Sequence, residues 1–175
     1  MSLGFISSRK KGIHYDLAKF AVSKLKEVNL LLKGTSERNY EHTVISLLQA
    51  SPRLRKNIIT QIGEEEVEKI TQANLFGFKH RPDTTIGKDG TAIEIKVVTG
   101  SQSVREILGQ AIAYRMHYKF VILVLIDNTP ERHIVDLCSN KTTQEFALLS
   151  GLADTLNIFS IVGPKKQNEN ITFYS

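Results

Sequence analysis

Two acids and a lysine crowd the stretch HRPDTTIGKDGTAIEIKVV, residues 80–98. Asp83 precedes a polar, glycine-flanked turn, and Glu94 and Lys96 follow it on an alternating apolar segment. A strand over TAIEIKVV sends Ile93, Ile95 and Val97 to one face and Ala92, Glu94, Lys96 and Val98 to the other. The arms 83–87 and 91–98 read as a hairpin. A Lys88-Asp89 turn sets Asp83 opposite Glu94. An Asp89-Gly90 turn, the dipeptide favoured for type I′ geometry, sets Asp83 opposite Lys96 with Glu94 diagonal. Either turn puts the three side chains on one face, with Cβ atoms roughly 5–8 Å apart. An odd loop without a bulge turns Asp83 away. Two carboxylates that close repel unless a cation lies between them, and Mg²⁺ or Mn²⁺ suits such oxygen ligands. Carboxylates, a hard divalent ion and an amine together fit phosphodiester hydrolysis. The alternative is an ordinary hairpin with a solvated, ion-paired outer face.

The elements that must hold this hairpin follow from periodicity. YDLAKFAVSKLKEVNLLLKG (15–34) predicts a helix, with Leu17, Phe20, Ala21, Leu25, Val28 and Leu32 at helical spacing and Gly34 as its cap. A second helix covers 38–50, with Val44, Ile45 and Leu48 inward. Ser51-Pro52 opens a third, ending near Gly63. EEEVEKI (64–70) stays open between a helical turn and a loop, and ANLFGF (73–78) reads as a strand. SQSVREILGQAIAYRMHY (101–118) is a helix with Val104, Ile107, Leu108, Ala111 and Tyr118 on one stripe. FVILVLID (120–127) does not alternate, which predicts a strand buried on both faces. Thr142-x-x-Glu145 is a capping box for a helix to about Asn157. IFSIVG (158–163) and ITFYS supply further strands. The order predicts a mixed α/β sandwich.

Composition sets the frame. The 175 residues are 41% hydrophobic and 23% charged, as expected of one soluble domain, 1–175. The longest apolar run, FVILVLI, is too short to span a bilayer, so no membrane partner is expected. A single cysteine, Cys138, excludes an internal disulfide and favours an intracellular, cytoplasmic setting. The five histidines show no zinc-site spacing. The net charge of +5 is uneven: residues 1–60 hold 11 Lys and Arg against 4 Asp and Glu. A polyanionic partner is one reading, a solvated basic face the other.

Pro82-Asp83, ten intervening residues and then Glu94-Ile95-Lys96 resemble the signature of the PD-(D/E)XK nuclease superfamily, which includes restriction endonucleases, Holliday-junction resolvases and repair nucleases. Over 38–127 the predicted order helix, three strands, helix, strand is similar to that family's core. The resemblance implies a restriction endonuclease-like three-layer fold, a mixed sheet flanked by helices, with core 38–163 and a helical extension 1–37. It implies Asp83 and Glu94 as ligands of Mg²⁺ or Mn²⁺, the Ile95 carbonyl as a further ligand, and Lys96 as the group assisting the attacking water. Glu41 extends the inward stripe of its helix and fits a third carboxylate, or else a first-turn acid favoured by the helix dipole. Gln110 and Tyr114, four apart, resemble a Q-x-x-x-Y element bordering the active site in one branch, or are interior residues with polar tips. His80 and Arg81 could approach a phosphate or are edge residues, and Arg115 and Lys119 meet either phosphates or water. The expected activity is metal-dependent cleavage of DNA, endonucleolytic before exonucleolytic, with RNA less favoured. The basic helices 15–33 and 51–62 are the expected DNA surface. With no Trp, five Tyr and eight Phe, backbone contact is favoured over base stacking. A homodimer is left open. The runner-up is an accessory or defence protein that binds nucleic acid with this fold and little catalysis.

Overall fold

The computed structural model describes residues 9–31, 36–60, 72–164 and 170–175. It is α/β, with a mixed six-stranded sheet and helices on both faces. Helices α1 (Ile13–Leu25), α2 (Glu37–Ala50) and the short α3 (Pro52–Arg55) lead into β1 (Ile58–Thr60). A separate two-stranded ribbon follows, β2 (Ala73–Leu75) and β3 (Phe78–His80). Then come β4 (Thr84–Ile86), β5 (Thr91–Val98), α4 (Ser101–Arg115) and β6 (Phe120–Asp127). The chain ends through α5 (His133–Ser139), α6 (Gln144–Leu156), β7 (Ile158–Gly163) and β8 (Ile171–Phe173). The sheet order is β1-β4-β5-β6-β7-β8. β1, β4 and β5 form an antiparallel meander, and β5, β6 and β7 run parallel. Parallel neighbours need a crossover; α4 supplies the first, and α5 with α6 the second.

β6 explains the central position. All eight of its residues are buried, as its unbroken apolar run requires of a strand covered twice. On one face Phe120 stacks between Tyr15 of α1 and Phe159 of β7, with ring centroids 5.8 Å apart in both pairs. On the other, Leu125 lies under Val104, Ile107 and Leu108 of α4 and residues of α5 and α6. Because β5 and β6 pair in register, Glu94 and Lys96 share the α4 face with Leu123 and Leu125. Asp127 ends β6 by accepting from the N–H groups of Thr129 and of Val135 in the first turn of α5. Among the described residues no helix is long and apolar enough to cross a membrane.

Several expectations change. The first helix stops at Leu25 instead of running to 34. Val28 and Leu30 are buried with Asn29 exposed between them, an extended pattern, and the buried Asn170 amide donates to the carbonyls of Leu25 and Val28. A partner from the far end of the chain thus takes up acceptors that a longer helix would use itself. The proposed cap Gly34 lies outside the described residues, as does EEEVEKI. The third helix is four residues long, and Ile58-Ile59-Thr60, β-branched throughout, pairs with β4 instead. What read as one strand over 73–78 is a ribbon that reverses at Phe76-Gly77. Helix α5 was not expected. The cap of α6 is Thr143, whose hydroxyl accepts from the Phe146 N–H, not Thr142.

The β4–β5 turn, residues 87–90, is clamped from below. Gly90 and Asp89 carbonyls accept from the N–H groups of Phe120 and Lys119. A Cβ on Gly90 would come within 2.4 Å of the Ile86 carbonyl and 2.8 Å of His14 Nδ1. Gly90→Ala is therefore expected to destabilise the protein by about 1–3 kcal/mol, as overpacking does. Thermal unfolding followed by circular dichroism would show it as a lowered Tm.

Candidate active site

β5 has a neighbour on both edges over only part of its length. β6 accompanies all eight residues, whereas β4 pairs with it from Thr91 to Ile93 only. Beyond Ile93 the N–H groups on the β4 side need other acceptors. Carboxylates supply them. The Ile95 N–H donates to Asp83 Oδ2 at 2.8 Å, and the Val97 N–H donates to Glu37 Oε2 at 3.0 Å. Glu37 is in the first turn of α2, and its Oε1 lies 3.4 Å from Lys96 Nζ. The fork between β4 and β5 is thus lined by acids that complete an unfinished ladder.

The register resolves the two hairpin alternatives. Thr84 pairs with Ile93 and Ile86 with Thr91. Carried one residue on, this sets Asp83 opposite Glu94, as the Lys88-Asp89 turn requires. The Asp83 N–H donates to the Glu94 carboxylate, and Tyr114 Oη donates to Glu94 Oε2 at 3.1 Å. Glu94, Asp83, Lys96 and Tyr114 are therefore brought together. Ile95 is buried, and its carbonyl shares the edge of its N–H, since an antiparallel pair exchanges both bonds from one edge.

Burial decides the electrostatics. Glu94 is only 6% exposed. Its carboxyl is pushed up to about 9, first by burial and then by the charge of Asp83, against the Tyr114 hydrogen bond. Asp83 is pushed up to about 7, again chiefly by burial, with Glu41 and Glu37 adding to the rise. Lys96 opposes both shifts without cancelling either. Burial also raises the Tyr114 hydroxyl, helped by Glu94, so it stays a donor. A buried acid and a half-buried one facing each other lack a counter-charge that their own lysine does not fully provide. That donor set fits a hard divalent cation held by one or two carboxylates and several waters.

The other expected residues divide. Glu41, one turn after Glu37, is half-buried, and burial with the Glu37 charge raises its carboxyl. It acts on Asp83 through its charge, but among the described residues no group of three or more His, Cys, Asp and Glu side chains is assembled for a metal. Glu41 thus stands beside the pair as an acid whose charge bears on Asp83. Glu37, which touches both Lys96 and the strand, was missed; four residues before Glu41, it continues the stripe towards Val44 and Leu48. Gln110 is four residues before Tyr114 on α4, and its Oε1 is buried with no hydrogen-bond donor among the described residues. Arg115 turns inward, its Nε donating to the Leu156 carbonyl at 2.5 Å, and Lys119 pairs with Asp89 at 3.3 Å. Cys138 is buried, and burial pushes its thiol up to about 12, which removes it as a nucleophile. No family model matches the chain, and neither a curated protein nor a solved structure matches it.

The raised carboxyls predict a pH signature. Above about pH 4 the unfolded chain has released protons that folded Asp83 and Glu94 keep. Metal-free stability should therefore fall as pH rises from about 4 through the folded values near 7 and 9. Mg²⁺ or Mn²⁺ should raise Tm, and more at pH 8.5 than at pH 5.5. Asp83→Asn should raise the metal-free Tm at pH 8 and remove the metal's effect. Differential scanning calorimetry with and without metal reads all three.

Proposed function

We propose that this protein is a metal-dependent nuclease of the PD-(D/E)XK type, hydrolysing phosphodiester bonds in DNA. One observation carries the proposal: the half-buried Asp83 and the buried Glu94, two mutually repelling carboxylates, meet beside Lys96 where β4 leaves β5. Element order adds support. α2, the antiparallel strands β1, β4 and β5, then α4 and the parallel β6 follow the order helix, three strands, helix, strand that the resemblance implies. The first of the three strands is β1, not 73–78.

Asp83, Glu94 and the Ile95 carbonyl would hold the cation, with Glu41 adding negative charge beside it. When bound, Mg²⁺ or Mn²⁺ supplies positive charge and Lewis acidity toward phosphate and water oxygens. Lys96 orients the attacking water and offsets charge growing on the phosphate. The water oxygen forms a new bond to phosphorus and gives up a proton to solvent, the ester P–O bond breaks, and the leaving oxygen takes up a proton from solvent. Glu37 is a positioning residue: it anchors to the Val97 N–H and holds the lysine amine. Tyr114 fixes the Glu94 carboxylate, and Gln110 offers an acceptor on the same helix face.

The runner-up, a nucleic-acid-binding protein with little catalysis, draws on the Lys96–Glu37 pair, which occupies the amine. Metal dependence separates the two. With Mg²⁺ or Mn²⁺ the protein should cut a panel member among linear, nicked and branched DNAs. Asp83→Ala, Glu94→Ala or Lys96→Ala should each lower the rate by about 10²-fold or more, with circular dichroism unchanged. Glu37→Gln should cost about 10-fold. Metal-independent binding that weakens steeply with salt, and no cutting under any divalent ion, would support the binder.

A further inference from the structure

The ribbon β2–β3 carries the two most exposed large apolar side chains among the described residues, Phe76 at 90% and Phe78 at 70%. Single exposed hydrophobes are ordinary, but two exposed aromatics at one tip mark a contact surface. The turn is Phe76-Gly77, with φ of 51° and 80°. Both central residues of this type I′ turn take positive φ, a place suited to Asn-Gly. Phe76 instead holds an aromatic in the left-handed region at a conformational cost. The ribbon does not join the main sheet. A lone pair of strands is marginal, and this one is anchored by the buried Ala73 and by packing against α4, the helix of Gln110 and Tyr114.

Charge points to the occupant. Residues 72–82 contain Lys79 and Arg81 and no acid, and Lys79 is exposed beside Phe78. β3 runs directly through Arg81 and Pro82 into Asp83. Five residue steps from Phe78 to Asp83 span at most about 18 Å of chain, or about five base steps at 3.4 Å each. An aromatic tip on a basic stem, tethered that close to the proposed cleavage point, is the chemistry that stacks on nucleobases while cations meet the phosphates.

We infer that the β2–β3 ribbon is a base-stacking probe: Phe76 and Phe78 stack on unpaired DNA bases within a few nucleotides of the scissile phosphate. This rests on the nuclease reading and narrows its substrate to DNA with an unstacked or single-stranded stretch beside the cut. It departs from the expectation that backbone contact is favoured over base stacking, because Phe76 and Phe78 are exposed.

The test uses the full chain carrying Asp83→Asn, so that DNA survives titration. The probes are deoxyoligonucleotides with one 2-aminopurine, as a continuous duplex and as a duplex with a short gap, followed by fluorescence and anisotropy. The gapped DNA should bind more tightly than the continuous duplex and should change the 2-aminopurine signal. Phe76→Ala with Phe78→Ala should weaken gapped-DNA binding by about tenfold or more, and the signal change should vanish. Both side chains are exposed, so the fold should survive, and Phe76→Leu with Phe78→Leu keeps the apolar surface as a second variant. Unchanged gapped-DNA affinity in the Ala variant overturns the inference. So does a full signal in the Leu variant. Unchanged DNA binding with loss of self-association, read by sedimentation, overturns it in favour of a second copy as occupant. Hairpin-dependent binding by a protein that cuts nothing with any divalent metal upholds the probe and sinks the nuclease. Absence of all DNA binding sinks both.

Discussion

Asp83 and Glu94 face each other across the β4–β5 fork, where burial and mutual repulsion disfavour charge on both carboxyls at once. β4 is three residues long and β5 is eight, so part of one edge of a central strand is left without a strand partner. Asp83 and Glu37 take the exposed N–H groups, and in doing so they bring negative charge to a site that already contains Glu94. An apolar side chain would leave those donors unsatisfied, and a strand would exclude any ligand. Acids complete the ladder and leave oxygen atoms over. The same feature gives the sheet its local order and concentrates carboxylate oxygens at one open edge.

The rest of the fold keeps that fork in position. β6, buried along its whole length, fixes β5 from the other edge in unbroken register. α4 returns the chain between them and delivers Tyr114 to Glu94. α2 lies with its first turn at the open edge, which is why Glu37 rather than a mid-helix residue reaches Lys96. Asn170, just before β8, donates to the carbonyls of Leu25, the last residue of α1, and of Val28 beyond it, and so ties the C-terminal segment to the end of the N-terminal helix. Cohesion of this kind lets a destabilising site persist: favourable burial elsewhere offsets a pair of acids that weakens the metal-free fold.

How much of this was readable from residues alone depended on how local the cause was. α2, β6 and β7 matched their periodic patterns almost to the residue, because amphipathicity and unbroken apolarity act within one element. The hairpin was readable to two registers; the choice fell to the clamp on Gly90 and Asp89 by residues at the start of β6, about thirty positions away. α1 ends early where the carbonyl of its last residue, Leu25, accepts from Asn170, a partner no window contains. β1 looked helical after Ser51-Pro52 until β4 offered it a strand to pair with. Asp83, Glu94, Lys96 and Tyr114 converge because strand alternation and a four-residue helical spacing are simple rules. Glu37 escaped notice because its role exists only where β5 loses a neighbour. The Phe76-Gly77 reversal escaped because phenylalanine is a poor predictor of positive φ.

The central claim is that Asp83 and Glu94 hold protons in place of a cation, and the exchange of one for the other can be counted directly. Titration calorimetry with Mn²⁺ at pH 7, in two buffers of different ionisation enthalpy, gives the number of protons released per ion bound. The account predicts saturable binding with net proton release that disappears in Asp83→Asn. Binding without proton release, or an unaltered isotherm in that variant, would contradict it.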